Sequence, residues 1–195
     1  MCSGFSAFRA NRILLAATLV CLLTPGLAFS QHGAFDLDGK PANPFDAASG
    51  KIVVLVFLRR DCPVSSRYAA VIQQISTQHE RDASFWLVFP DKAETQQTIE
   101  KYLREYAFHL PALRDPEHAL VKLAQVQITP EVAVFNRNHQ LIYHGRIDNL
   151  YLDLGRSRPA ATTHELADAL DATLAGKMPA TNQVRGVGCY ISDLQ

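Results

Sequence analysis

Two hydrophobic rhythms alternate along the chain. Lys51 to Leu58 is nearly all apolar and β-branched, the pattern of a strand buried on both faces. A polar corner, Arg59-Arg60-Asp61-Cys62-Pro63, follows. Tyr68, Val71, Ile72 and Ile75 then recur at i, i+3, i+4 and i+7, which predicts one helix running to about Glu80. Ser84 to Phe89 reads as a second buried strand, stopped by Pro90. Asp91 and Glu94 have the spacing of a capping box, ahead of a stripe of Ile99, Tyr102, Leu103 and Tyr106. Leu110 to Leu113 suits a short strand, and Asp115-Pro116 opens a helix to about Ala124. Glu131 to Phe135 and Leu141 to Ile147 flank Asn136-Arg137-Asn138-His139 as an antiparallel hairpin. Asp148 to Ala161 is a polar loop. Thr162 and Glu165 form another capping box, before a helix with Leu166, Leu170 and Leu174 on one face that ends at Gly176. Strands alternating with helices, then a hairpin, predict an α/β fold: a mixed central sheet with helices on both faces.

Composition sets the boundaries. A chain of 195 residues with 48% hydrophobic side chains can bury one good core, so one domain is expected. The net charge is zero and the basic residues are scattered, which leaves no electrostatic footprint for nucleic acid. At the N-terminus, Arg9 and Arg12 precede an apolar run from Ile13 to Leu23, a Pro25-Gly26 breaker and Ala28-Phe29-Ser30. These are the three regions of a secretory signal peptide, residues 1–30, with cleavage after Ser30. The run is shorter than the ~20 residues of a membrane span, so no span is expected after cleavage. Thr18-Leu19-Val20 ahead of Cys21 lacks the small residue that lipidation requires. The remainder divides into a domain, 31–177, and a C-terminal tail, 178–195, that carries Cys189.

Cleavage removes Cys2 and Cys21 and leaves Cys62 and Cys189 in an exported, oxidising compartment. No close cysteine pair and no helical histidine spacing marks a zinc site, so no metal or cofactor is expected. Cys62 lies where a strand turns into a helix. There, unpaired first-turn N–H groups and the positive end of the helix favour thiolate over thiol. Pro63 fits the first turn, which does not need its missing N–H. Arg59 and Arg60 would lower the thiol pKa, while Asp61 opposes them. A cysteine so flanked is a candidate nucleophile rather than an apolar filler.

Asp61-Cys62-Pro63-Val64-Ser65-Ser66-Arg67-Tyr68-Ala69 resembles the Cys-Pro-x-Ser-x-Arg-Tyr-Ala motif of exported bacterial redoxins. Those proteins have a thioredoxin-like fold and are grouped with alkyl hydroperoxide reductase and thiol-specific antioxidant proteins. Thr129-Pro130-Glu131, Tyr143 to Asp148, Gly155-Arg156 with Arg158-Pro159, and Gly188-Cys189 extend the resemblance over nearly the whole exported chain. It implies that Pro130, after Thr129, is a cis-proline facing Cys62. It also implies a thiol-disulfide oxidoreductase in which Cys62 attacks a protein or small-molecule disulfide, or a peroxide, with Ser65 donating to the thiolate. Cys189 then either resolves the intermediate or forms a structural disulfide; both roles stay open. Arg146 and Asp148 are expected to pair and order the loop after them, with Arg156 and Arg158 as loop anchors. Ser65 stands where thioredoxins have a second cysteine, which excludes dithiol exchange within the motif. Arg59 and Leu55 stand where peroxiredoxins have threonine and proline, which argues against efficient peroxidase chemistry. The alternatives are a thioredoxin-like copper-handling protein and a non-catalytic binding module. For copper, Ser66 stands at the second cysteine of Cys-x-x-x-Cys, leaving Cys62 and His144 as ligands. The electron donor is left unassigned.

Overall fold

The computed structural model describes residues 33–192 together with Met1 and Leu194. The expected signal peptide from residue 2 on, its cleavage point after Ser30, Cys2 and Cys21 lie outside the described residues. In chain order the elements are α1 (Pro44–Ala47), β1 (Ile52–Phe57), α2 (Pro63–Arg67), α3 (Ala69–Gln78), β2 (Ala83–Phe89), α4 (Gln96–Glu105), β3 (Ala112–Arg114), α5 (Ala119–Ala124), β4 (Ile128–Thr129), β5 (Glu131–Phe135), β6 (Leu141–Gly145), β7 (Tyr151–Asp153), β8 (Arg156–Ser157), α6 (Glu165–Leu174), β9 (Gln183–Val184) and β10 (Cys189–Tyr190). Among the described residues no helix is long and apolar enough to cross a membrane.

β1 is the middle of the structure. Parallel β2 lies on one side and antiparallel β5 on the other, and the six-stranded sheet runs β3-β2-β1-β5-β6-β9. The period-2 alternation of strand side chains divides β1 between two cores. Ile52, Val54, Val56 and Leu58 join the helix-covered face built with Ile72, Ile99, Tyr102, Leu166 and Leu170. Val53, Leu55 and Phe57 join the opposite face, with Leu120, Val121, Ala124 and Phe135. The continuous apolar run therefore serves two layers at once, and its C-terminal end delivers the chain to Cys62.

Several expected boundaries move, each because a polar side chain is committed elsewhere. The helix after Cys62 is broken into α2 and α3 at Tyr68, whose N–H bonds back to Ser65 in a tightened turn and whose hydroxyl is buried on Asp148. α4 begins four residues later than Asp91 would place it. Thr95 and Thr98 form its capping box, because Asp91 accepts from the Ala93 N–H and Glu94 turns inward. The Thr162–Glu165 box does not form either: the Thr162 hydroxyl accepts from Asn149, Glu165 binds Arg146, and His164 is the N-cap. The loop from Asp148 to Ala161 contains the β7–β8 hairpin.

The helix expected to start beside Asp115 is confined to α5, yet Asp115 does cap it. Its fully buried carboxylate accepts from the N–H groups of Ala119 (2.8 Å) and Val121 (2.9 Å). The tail, to which the sequence assigned no strand, adds β9 in parallel to β6. Gly145 permits that approach: its φ is +131°, and a Cβ there would lie 1.9 Å from the Val184 carbonyl oxygen.

Asp115→Ala should lower the unfolding free energy by about 1–3 kcal/mol, since two α5 amides lose their acceptor in a buried setting. Urea unfolding checks this, with an unchanged midpoint as the contrary result.

Candidate active site

Cys62 is the N-cap residue of α2 and is wholly buried at the end of β1. Its sulfur donates to the Thr129 carbonyl oxygen at 3.2 Å. The Thr129–Pro130 peptide bond is cis, the isomer the resemblance implied. Burial pushes the Cys62 thiol pKa up. Hydrogen bonds from the Cys189 thiol, the Ser65 amide and hydroxyl and the Val64 amide outweigh it, so the thiol sits below its ordinary value. The helix-start donors expected from the sequence are therefore in place, with Pro63 opening α2. The two arginines act differently from expectation: Arg59 lowers Cys189, and the Arg60 side chain is exposed.

The tail returns to this point. β10 pairs antiparallel with β4 in a register that sets Cys189 opposite Thr129. Both cysteines are free thiols. The Cys189 thiol is pushed up to about 11, by burial first and then by donating to Cys62 and facing its charge. The pair is polarised in one direction: the Cys62 thiol gives up its proton more readily than the Cys189 thiol.

Arg59 ties the two segments together. Its guanidinium donates to the Tyr190 carbonyl oxygen (3.1 Å) and pairs with Asp61 (2.9 Å) and Asp91 (3.3 Å). Arg146 and Asp148 do not pair with each other. Arg146 bonds Glu165, whereas Asp148 accepts from the Tyr68 hydroxyl (2.5 Å) and the Leu150 N–H (2.8 Å). Asp148 still orders the loop after it, through Tyr68 rather than Arg146. Arg158 donates to the Asn149 carbonyl oxygen as a loop anchor, while Arg156 is exposed at the hairpin.

Glu131 and Glu94, which the sequence placed in a strand and a capping box, shape the site instead. Glu131 accepts from the Gly186 N–H and the Gln127 N–H, both at 3.1 Å, and so links the tail to the segment ahead of Pro130. Glu94 is 5% exposed and accepts from the Arg60 N–H at 2.8 Å. Burial pushes its pKa up to about 7. Nothing in the local pattern separates Glu94 from an ordinary capping carboxylate; the inward turn depends on where the Arg60 amide comes to lie. Among the described residues no group of three or more His, Cys, Asp or Glu could hold a metal ion, and His144 is buried on β6.

The strand order, the helix-start cysteine and the cis-proline opposite it decide the fold. This chain has a thioredoxin-like fold. Residues 50–141 match a family model described as thioredoxin-like. An uncharacterized conserved protein from Geobacillus kaustophilus aligns with 22% identity and a TM-score of 0.67, over 82% of this chain and 86% of its own. A hypothetical protein from Sinorhizobium meliloti 1021 aligns with 21% identity and a TM-score of 0.67, over 82% and 88%. A secreted Mycobacterium tuberculosis disulfide oxidoreductase homologous to E. coli DsbE aligns with 17% identity and a TM-score of 0.51, over 75% and 96%. No curated protein matches the chain. Within this thioredoxin-like frame, the tail strand sets Cys189 opposite Thr129, beside Cys62, while Ser65 stands in the first turn of α2.

Glu94 gives the folded protein a pH slope. Its carboxyl is harder to ionise folded than unfolded, so the unfolded chain binds fewer protons between the ordinary 4.5 and about 7. Stability from this group falls as pH rises through that window, by up to about 3 kcal/mol. Urea unfolding at several pH values should show the slope reduced in Glu94→Gln; an identical slope contradicts the assignment.

Proposed function

We propose that the protein is an exported thiol-disulfide oxidoreductase with Cys62 as nucleophile and Cys189 as resolving cysteine. The observation that carries this reading is the polarised Cys62–Cys189 pair beside cis-Pro130: a thiolate-favoured sulfur with the Cys189 thiol donating to it. A permanently formed structural disulfide would need no such bias. Export rests on the residue 1–30 signal pattern and agrees with the secreted oxidoreductase that shares the fold.

In the forward direction the Cys62 thiolate attacks one sulfur of a substrate R–S–S–R′. A Cys62–S–S–R bond forms and R′S⁻ leaves, its charge met by a proton. Cys189 loses its proton and attacks the Cys62 sulfur, forming Cys62–Cys189 and expelling RS⁻. The substrate disulfide gains two electrons and the protein dithiol loses two. The Val64 and Ser65 amides and the Ser65 hydroxyl hold the attacking charge. The same donors stabilise Cys62 as the leaving thiolate when the protein disulfide is opened by an external dithiol. The Thr129 carbonyl accepts from the thiol form, and Arg59 holds Tyr190 so that Cys189 stays opposite. Protein and small-molecule disulfides are the substrate class. Arg59 and Leu55 stand where a peroxide pocket calls for threonine and proline, so disulfide exchange is the activity proposed.

The test is incubation of the reduced protein with excess hydroxyethyl disulfide, followed by peptide mass mapping. Wild type should end as Cys62–Cys189. Cys189→Ala should stop at a Cys62 mixed disulfide, with its alkylation midpoint shifted to higher pH because the main donor is gone. Cys62→Ser should leave Cys189 largely unmodified near neutral pH, since burial, the largest cause of its raised pKa, does not depend on Cys62. A Cys62 that forms no mixed disulfide in Cys189→Ala sinks the reading.

A further inference from the structure

Cys62 is fully buried although it stands at an exposed corner of the fold, between Asp61 and Pro63, both of which are exposed. What covers it is the tail. Val187 and Cys189 pack on the same apolar cluster as Cys62, and Gly188 lies directly against Thr129 and Pro130. The cover is one strand thick: β10 has β4 as its single partner, and Tyr190 on its outer side is 64% exposed.

Its attachments are few and specific. The Gly186 N–H bonds Glu131 at 3.1 Å, the Ile191 N–H bonds the Gln127 carbonyl oxygen at 3.0 Å, and Arg59 donates to Tyr190. Ile191 enters the core on the far side of the sheet and is 5% exposed. Gly188 sets the closeness of the fit. A Cβ at this position would lie 2.0 Å from the Thr129 carbonyl oxygen, a backbone atom that cannot swing aside as a side chain would. Every residue other than glycine at position 188 therefore unseats the strand from β4.

We propose that residues 186–191 are a displaceable cover over Cys62, seated by Gly188 and Ile191, so that an external disulfide reaches the sulfur only when this strand lifts. This rests on the oxidoreductase reading above and adds regulation to it. The same strand that brings the Cys189 donor to Cys62 also shields it from solvent. The sulfur is thereby held in reserve, and its rate with outside reagents is its open-state rate multiplied by the open fraction. A two-residue ladder, hydrogen bonds with Glu131, Thr129 and Arg59, and the packing of Val187, Cys189 and Ile191 make a short attachment that can open without unfolding the domain.

The experiment uses the full chain in a Cys189→Ser background, with Gly188→Ala or Ile191→Asp added. The Cys62 alkylation rate with iodoacetamide is mapped by peptide mass at pH values up to the plateau where Cys62 is fully ionised. Plateau rates separate access from any change in pKa, and the denatured chain sets the ceiling. Both added substitutions should raise the plateau about tenfold or more over Cys189→Ser alone, with far-UV circular dichroism unchanged. Two substitutions that unseat the strand at different points keep the test decisive if one impairs folding. Plateau rates within twofold of Cys189→Ser, at a Cys62 that does react, overturn the cover and leave the oxidoreductase reading standing. A Cys62 that reacts only when denatured, in every variant, overturns both.

Discussion

A sulfur anion inside a protein is tolerable only where hydrogen-bond donors reach it, and the architecture around Cys62 follows from that requirement. Burial opposes ionisation, and four donors reverse the outcome. Three of them, the Val64 amide and the Ser65 amide and hydroxyl, come from the first turn of α2 and exist because β1 ends where it does. The fourth, the Cys189 thiol, comes from 127 residues away along the chain. It depends on the cis-Pro130 corner presenting β4, on Gly188 allowing the strands to close, and on Ile191 anchoring the far end.

The same geometry explains why serine at position 65 is not a loss. A second cysteine one turn along α2 would place both sulfurs in one rigid element. Here the Cys189 thiol rides on the two-residue strand β10, so in the proposed exchange the two thiols sit on separate elements. Ser65 keeps the donor role without the redox role. Arg59 joins the segments that carry the two thiols. It is a bridge between the Cys62 loop, the Asp91 turn and the tail backbone rather than a charge aimed at the nucleophile.

Buried carboxylates perform the remaining positioning. Glu94 holds the amide of the loop before Cys62, Glu131 holds the tail, Asp115 caps α5, and Asp148 secures the hairpin to the α2–α3 junction through Tyr68. Each trades desolvation for backbone hydrogen bonds that would otherwise go unmet. Glu94 and Asp115 show the cost as raised pKa values of about 7 and about 6.

The sequence by itself determined the elements governed by local periodicity and by burial on two faces. These are β1, β2, the β5–β6 hairpin, the amphipathic stripes of α3, α4 and α6, and the placing of Cys62 at a helix start. Such features depend on neighbours a few residues apart, so they can be read without knowing the fold. The motif resemblance extended the reading to cis-Pro130 and to Cys189 as a partner. Capping boxes at Asp91–Glu94 and Thr162–Glu165 failed for one reason: a side chain suited to a nearby amide was captured by a group distant in sequence. The Arg146–Asp148 pairing failed likewise, because Glu165 and Tyr68 competed for the two partners. Only the tertiary structure decided these matters, along with the return of the tail as β9 and β10, because hydrogen-bond partners and close backbone approaches are set by chain segments that meet only when the sheet is assembled.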